Sequence, residues 1–206
     1  MQFTTFAIAA LSLGSAIAAP AANKVEARGL LALDDALSAV GNVKVIVSQQ
    51  VTTVTTLVQG TPAGDAVTKI EASLLTVGQS VSGLLSPVLA LTNNAATPLT
   101  QGQISSVPQL VADCQAVVAS IQTLGKTVVN GLGQDALDQI QPELQWVLST
   151  AGPVVKPVVS FATTAVPGTS PVIGEVQTGV ASLQKLANGL LAPVNAILGG
   201  VLGGVL

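Results

Sequence analysis

The sequence of 206 residues contains no histidine, no tyrosine and a single cysteine. Histidine is the most frequent general base in enzymes, and histidine and cysteine supply most zinc ligands in proteins. A nucleophilic serine would have no histidine beside it here, so most hydrolytic mechanisms lack an essential member. We therefore expect a protein that is not an enzyme and that uses no cofactor and no metal.

Carboxylates are the remaining candidates for acid–base or metal chemistry, and four of them form two close pairs. Asp34 and Asp35 are adjacent in the chain, and Asp135 and Asp138 are separated by two residues. Acidic side chains in the first turn of a helix are favoured by the helix dipole. We predict that both pairs mark the starts of helices and do not form a catalytic site.

Charge is scarce throughout the chain. Charged residues make up 8% of the sequence, aromatic residues 2%, and the net charge is −3; about 25% charged residues is usual. No basic stripe exists that would neutralise a phosphate backbone, so we expect no nucleic-acid partner. The polar surface must consist mainly of Ser, Thr, Gln, Asn and Gly.

The single cysteine excludes an internal disulfide framework, so stability must come from packing. Cys114 occupies an apolar position in the segment LVADCQAVV. Two interpretations are open: a buried small hydrophobic side chain, or a reactive or intermolecular thiol.

The start of the sequence has the pattern of a secretory signal. An apolar stretch runs from Phe6 to Leu13, and Ala16-Ile17-Ala18 fits a small-residue cleavage site. We expect a signal peptide over residues 1–18, a short Pro/Ala-rich leader over 19–29 and a helical domain over 30–206. An uncleaved buried helix is the alternative interpretation of the first segment.

Apolar residues recur at steps of three and four over nearly the whole remaining chain, which is the helix period. The clearest case is the run Val67, Ile70, Leu74, Val77, Val81, Leu84, Val88, Leu91. The Val- and Thr-rich segment VKVIVSQQVTTVTTLV would suit strands by composition, but its apolar residues also keep the helix period. The pattern predicts an all-α fold, an antiparallel bundle of about five amphipathic helices.

Turn and cap residues suggest where the later helices begin. Ser105 or Ser106 is a candidate N-cap with Pro108 in the first turn, and Thr169 or Ser170 is another with Pro171 at the first position.

Prolines also bear on where one long helical segment ends. Pro153 and Pro157 fall inside the fourth segment, which we expect to be kinked or divided near Gly152.

The interior predicted by this pattern is almost entirely aliphatic. A bundle with few rings has few large side chains to fill the space between five helices, so it would enclose an apolar cavity or open easily. Trp146 lies one residue off the apolar stripe and is either a core-edge residue or an interface contact. The candidate residues for contact with a lipid or a hydrophobic surface are Leu74, Val77, Val81, Leu84, Val117, Ile121, Leu144, Trp146, Val158, Phe161, Val180 and Leu183.

The segments APAANKVEAR, VTKIEASLLTVGQSVSGLL and LVADCQAVVASIQTLGKTV, together with the secretory start, carry a family resemblance. Over roughly residues 30 to 190 the chain resembles the fungal hydrophobic surface binding protein A family, which includes the cell wall galactomannoproteins. The resemblance implies a secreted all-α bundle that adsorbs to hydrophobic surfaces, with relatives that hold fatty acids, and it carries over no catalytic residue. The chain departs from a mannoprotein pattern in having no Asn-x-Ser/Thr site and no Ser/Thr-rich stalk.

These features lead to two functional hypotheses. The first is a secreted, non-enzymatic protein that binds hydrophobic surfaces, fatty acids or other lipids through apolar helix faces or an apolar core. A secreted hydrolase recruited to such a surface is a further candidate partner. The second is a structural or adhesive protein of the cell wall or cell surface without a specific ligand.

The last 21 residues, Leu186 to Leu206, carry no charge and are long enough on paper to cross a bilayer. Their apolar residues continue the upstream helix period, and the segment lacks the polar spacer of a lipid-anchor signal. We favour a terminal bundle helix with a glycine-rich end over a membrane span or a removed anchor.

Overall fold

A computed structural model describes residues 24–60, 64–93 and 99–190 of the protein. Over these ranges the chain is helical and contains no strand, as the apolar period predicts. The helices are α1 (Lys24–Gln59), α2 (Gly64–Gly83), α3 (Leu85–Asn93), α4 (Gln101–Gly131), α5 (Gln134–Ala165) and α6 (Ile173–Asn188). The predicted signal peptide and residues 191–206 of the tail lie outside the described ranges.

Helix α1 begins earlier than the carboxylates suggest. It starts at Lys24, so Asp34 and Asp35 lie about three turns inside it as exposed side chains, and the prediction that they mark a helix start is wrong. The Ala- and Leu-rich sequence around them has high helix propensity and lets the helix extend upstream. Asp135, in contrast, does lie in the first turn of α5.

The second predicted segment is interrupted once, between α2 and α3. Leu84 separates them, and Pro87 lies in the first turn of α3. A proline ring clashes with the carbonyl of the residue four positions before it, which here is Gly83, the last residue of α2. The apolar stripe nevertheless continues across the break, because Leu84 and Val88 are both buried.

Helix α4 begins before the predicted serine caps. Thr100 is its N-cap: the Thr100 side chain accepts a hydrogen bond from the Gln103 backbone, and the Gln103 side chain accepts one from the Thr100 backbone. This reciprocal pair satisfies two free N–H groups, so the helix starts at Gln101 and not at Ser105 or Ser106. Pro108 is therefore inside the helix.

The ends of α5 and α6 also differ from the sequence-based expectation. Helix α5 continues through Pro142, Pro153 and Pro157 as one element, so division near Gly152 does not occur. Helix α6 begins at Ile173, after Pro171; Ser170 accepts a hydrogen bond from the backbone of Val172 at 3.5 Å but is not the N-cap.

The helices form two layers. Helix α4 lies between α1 and α6 in the first layer, while α2 and α3 pack beside α5 in the second layer. Across the layers, α1 packs on α2 and α3, and α5 packs on α4 and α6. The apolar sides of all six helices meet in one core between the layers.

Helices of the first layer run parallel to one another. Lys44 contacts Asp113 and, further along both helices, Val58 lies against Gly131, so residue numbers increase together along α1 and α4. Contacts between α4 and α6 follow the same order. The short turn between α4 and α5 reverses the chain, so the second layer runs in the opposite direction.

Candidate functional site

The twelve candidate contact residues are placed unequally. Eleven of them are buried in the core between the layers, each with at most 7% of its surface exposed. Only Trp146 lies at the surface, with 37% exposed. Eleven of the predicted contact residues therefore face the core and not the solvent.

Trp146 contributes to the contact between α5 and α2. Its indole ring lies directly on the backbone of Gly78, where a Cβ atom would come within 2.2 Å of the ring carbon Cζ3. Only a glycine leaves room for a ring at this position. Trp146 is thus a core-edge residue that keeps part of its ring accessible.

A half-buried ion pair joins α1 to α4, and sequence reasoning missed it. Lys44 Nζ lies 2.5 Å from Asp113 Oδ1, and the Asp113 side chain is only 11% exposed while that of Lys44 is 40% exposed. Lys44 is visible in the sequence as an interruption of the α1 stripe, but its partner lies 69 residues away in the chain. Only the parallel packing of α1 on α4 brings the two together.

Two glutamine side chains join α4 to α6. Gln115 Nε2 donates to the carbonyl oxygen of Gly179 at 2.5 Å, and Gln122 Nε2 donates to that of Gly189 at 3.3 Å. The backbones approach closely because the glycines have no side chain: a Cβ at Gly179 would lie 2.9 Å from Val111 Cγ1. The sequence offers no signal for these bonds beyond the presence of glycine.

The directions of these contacts define the inner face of α4. Successive residues of a helix are rotated by about 100°, so Asp113 and Gln115 point about 200° apart, toward α1 and α6 respectively. Cys114 lies between them and faces the second layer, together with Leu110 and Ile121 at helical spacing.

The thiol of Cys114 is chemically inert in this position. The side chain is 1% exposed, and burial raises the pKa of the thiol from 9.0 to about 12. At neutral pH it is therefore protonated, and only the thiolate is an effective nucleophile. Of the two interpretations, the buried hydrophobic side chain is the one that the structure shows.

The outer faces carry hydroxyl groups that are already hydrogen-bonded. In α1, Thr52, Thr53, Thr55 and Thr56 each donate to the carbonyl four residues earlier, at 2.7–3.1 Å. Similar bonds recur in α2, α4, α5 and α6. These faces are polar and carry only scattered charges, such as the exposed Asp34 and Lys126, and their hydroxyl donors do not depend on water.

Three open grooves run between neighbouring helices. They lie between α5 and α6, between α4 and α6, and between α1 and α4, with volumes of about 440, 470 and 390 Å³. The first is lined by Val155, Val159 and Ala187, with Lys156 and Gln184 beside them. All three are open at the surface, and the first two reach core side chains, Val155 and Val111 respectively.

Among the described residues, no group of three or more Cys, Asp or Glu side chains is placed to hold a metal ion. Two described stretches, Asp65–Asn93 and Gln101–Gly131, are long and apolar enough to cross a bilayer by composition alone. In Gln101–Gly131, half of the apolar 18-residue window that meets this criterion is buried inside the bundle.

Comparison with protein-family models, with curated proteins and with solved structures finds no match to this chain.

Proposed function

We propose that the protein is a secreted, non-enzymatic protein that binds uncharged hydrophobic surfaces or lipids through the apolar inner faces of its helices. Membership of the hydrophobic surface binding protein A family stays a prediction. The observation that carries the proposal is the division between two kinds of helix face. One is aliphatic and continuous through the core; the other is polar, carries few charges and has its hydroxyl groups bonded within the helix.

The aliphatic core supports this function because its side chains can exchange their contacts with one another for contacts with another apolar surface. Apolar side chains gain by leaving water, and the gain does not depend on the direction of the contact. A hydrocarbon surface is as apolar as the leucine and valine side chains of the opposite layer. Turning the inner faces toward such a surface therefore costs far less free energy than exposing them to water.

The outer faces support the same function. An unpaired hydroxyl moved out of water costs about 1–3 kcal/mol, but the threonines of α1 keep their donors paired within the helix. Charged side chains, which resist desolvation most strongly, make up 8% of the chain. The protein can therefore lie close to an apolar phase without a large electrostatic penalty.

Binding to octyl-coated agarose and to zwitterionic phosphatidylcholine vesicles tests the proposal. At moderate salt we expect retention on both, and no retention on uncoated agarose. Failure to bind either hydrophobic probe would contradict the proposed function. The mass of the protein recovered from the culture medium tests secretion and reports its N-terminus.

A structural or adhesive role is the second candidate, and one observation favours it. Among the described residues the large exposed apolar side chains are few, namely Val45, Leu75, Leu89 and Trp146. In its packed form, the described part of the chain presents only these large apolar side chains to a surface. Persistence in the wall fraction after detergent extraction, without retention on octyl agarose, would support this role.

A further inference from the structure

We propose that the two layers separate like a jaw, and that the inner faces exposed in this way are the surface that contacts an uncharged hydrocarbon phase. The jaw is hinged at the end where α1 joins α2 and α4 joins α5. This inference rests on the proposed function and identifies the surface that performs it.

Polar bonds hold the first layer together. Between pairs of described residues, three side-chain bonds cross from one helix to another, and all three join α4 to α1 or to α6. Pulling α1 away would leave the Asp113 carboxylate without its partner in a mostly buried position. An unpaired buried polar group is costly, so these helices stay together.

The contact between the layers is of a different kind. It consists of aliphatic stripes, represented by Leu110 and Ile121 on α4 and by Val147 and Val154 on α5, each at most 3% exposed. The bonds just described leave α4 toward both sides, about 100° away from this stripe. Separation of α5 from α4 therefore breaks none of the three side-chain bonds that hold α4 to α1 and α6, and a hydrocarbon surface replaces the apolar contacts that are lost.

The second layer also has an internal connection, although it is not polar. The ring of Trp146 lies on the backbone at Gly78 and links α5 to α2 on the side away from α6. Val155, which lines the groove toward α6, is nine residues further along α5, which is about half a turn around the helix. Helix α5 can therefore leave α6 without leaving α2.

The lengths of the connections place the hinge. Four residues, 60–63, join α1 to α2, and two residues, 132–133, join α4 to α5. Both connections lie at the same end, because Val58 and Gly131 are neighbours. At the other end, seven residues join α3 to α4 and seven join α5 to α6. The connection between α5 and α6 forms a turn, in which Ser170 N–H donates to the Pro167 oxygen at 2.9 Å and Ile173 N–H donates to the Ser170 oxygen at 3.2 Å. Once this turn extends, seven residues reach about 24 Å, so this end can open further than the two-residue connection between α4 and α5 allows.

A cross-link between α5 and α6 near the opening end tests the jaw. Thr163 lies one turn beyond Val159, and Gln177 lies two turns before Gln184, so both exposed side chains stand along the two edges of the same groove. We would join Thr163→Cys to Gln177→Cys with a cleavable bismaleimide in a Cys114→Ala background. Because each layer moves as a unit, we expect retention on octyl agarose and on phosphatidylcholine vesicles to fall at least tenfold, and to return when the linker is cleaved.

The matched control locks the same helix, α6, to its partner within the first layer. A Cβ atom at Gly179 would lie 3.7 Å from Val111 Cβ, within the range of about 3.5–4.5 Å that a disulfide requires. The Val111→Cys/Gly179→Cys disulfide should leave retention within twofold of the reduced form. Circular dichroism and urea unfolding of every variant show that the bundle has formed.

The outcomes separate the two proposals. Retention unaffected by the cross-layer linker would overturn the jaw, and so would loss of retention on oxidation of the within-layer disulfide, because α6 would then have to leave α4. If the uncross-linked Cys114→Ala parent and the wild-type protein both fail to bind, the proposed function itself is wrong.

Discussion

Helices α4 and α5 occupy the middle of the molecule in opposite layers, and they are held in different ways. Helix α4 begins with a capping box and sends Asp113, Gln115 and Gln122 to its neighbours on both sides. Helix α5 has glycine at its N-cap without a side-chain cap bond, contains three prolines and contacts its neighbour α2 through the ring of Trp146. Directional bonds fix one layer, whereas shape and apolar contact fix the other and join the two.

The largest effect is expected from a cavity in the core between the layers. Ile121 is fully buried on the inner face of α4, so Ile121→Ala should lower the free energy of unfolding by about 2–5 kcal/mol. Urea unfolding followed by circular dichroism measures this. Val45→Ala, at a position 53% exposed on α1, is the control and should change stability by less than about 0.5 kcal/mol. Equal effects at the two positions would mean that α4 does not face the core.

The buried thiol predicts a loss of stability at high pH. Folding raises the pKa of Cys114 from 9.0 to about 12, so between these values the folded state holds a proton that the unfolded state has lost. The contribution of Cys114 to the free energy of unfolding is therefore complete below pH 9. Above pH 9 the free energy of unfolding falls by up to about 1.4 kcal/mol per pH unit. Unfolding curves at pH 8 to 11 should show this slope in the wild type relative to Cys114→Ala. Parallel pH profiles would contradict the inward position of the thiol.

A methyl group added between α5 and α2 should also lower the free energy of unfolding. Gly78→Ala places a methyl group 2.2 Å from the ring of Trp146, and such overpacking typically costs about 1–3 kcal/mol. Gly41→Ala is the matched control within α1, because nothing lies within 4 Å of its added Cβ. The control should gain about 0.5–1 kcal/mol from helix propensity. Thermal unfolding distinguishes the two, and a stabilising Gly78→Ala would show that the ring does not rest on the helix.

The smallest of these effects concerns the ion pair of the first layer. Lys44→Ala leaves the Asp113 carboxylate mostly buried and unpaired and should cost about 1–2 kcal/mol, since Lys44 itself is partly exposed. Asp113→Ala leaves a lysine that can turn to solvent, so it should cost less. A double-mutant cycle in urea measures the coupling between them. Additive single effects would mean that the pair contributes nothing to the α1–α4 contact.

Much of the fold follows from the apolar period of the sequence. Apolar residues spaced three and four apart identify the helices and their buried sides, because this spacing places them on one face of each helix. The helix starts were less predictable. Helix α4 begins after Thr100 and not after Ser105, because Thr100 and Gln103 form reciprocal hydrogen bonds that need both residues. The helix start predicted from Asp34 and Asp35 was wrong, because the local sequence does not distinguish a carboxylate pair in a first turn from one on the exposed face of a longer helix.

The candidate site could be predicted only in part. Periodicity places residues such as Leu144 and Leu183 on the apolar side of their helices, and both are buried in the core, but it does not say what they contact; their role in binding stays a prediction. The bonds of Lys44 and Gln115 join residues 69 and 64 positions apart, which no local pattern contains. They depend on the parallel arrangement of α1, α4 and α6.

The distance between the layers in the bound protein tests the central claim most directly. Pulsed electron paramagnetic resonance measures this distance between spin labels at Thr163→Cys and Gln177→Cys in the Cys114→Ala background, in solution and on phosphatidylcholine vesicles. If the inner faces contact the lipid, the distance should lengthen by about 10 Å or more on binding, within the reach of the seven-residue connection between α5 and α6. A bound protein whose labels keep their solution distance would contradict the account.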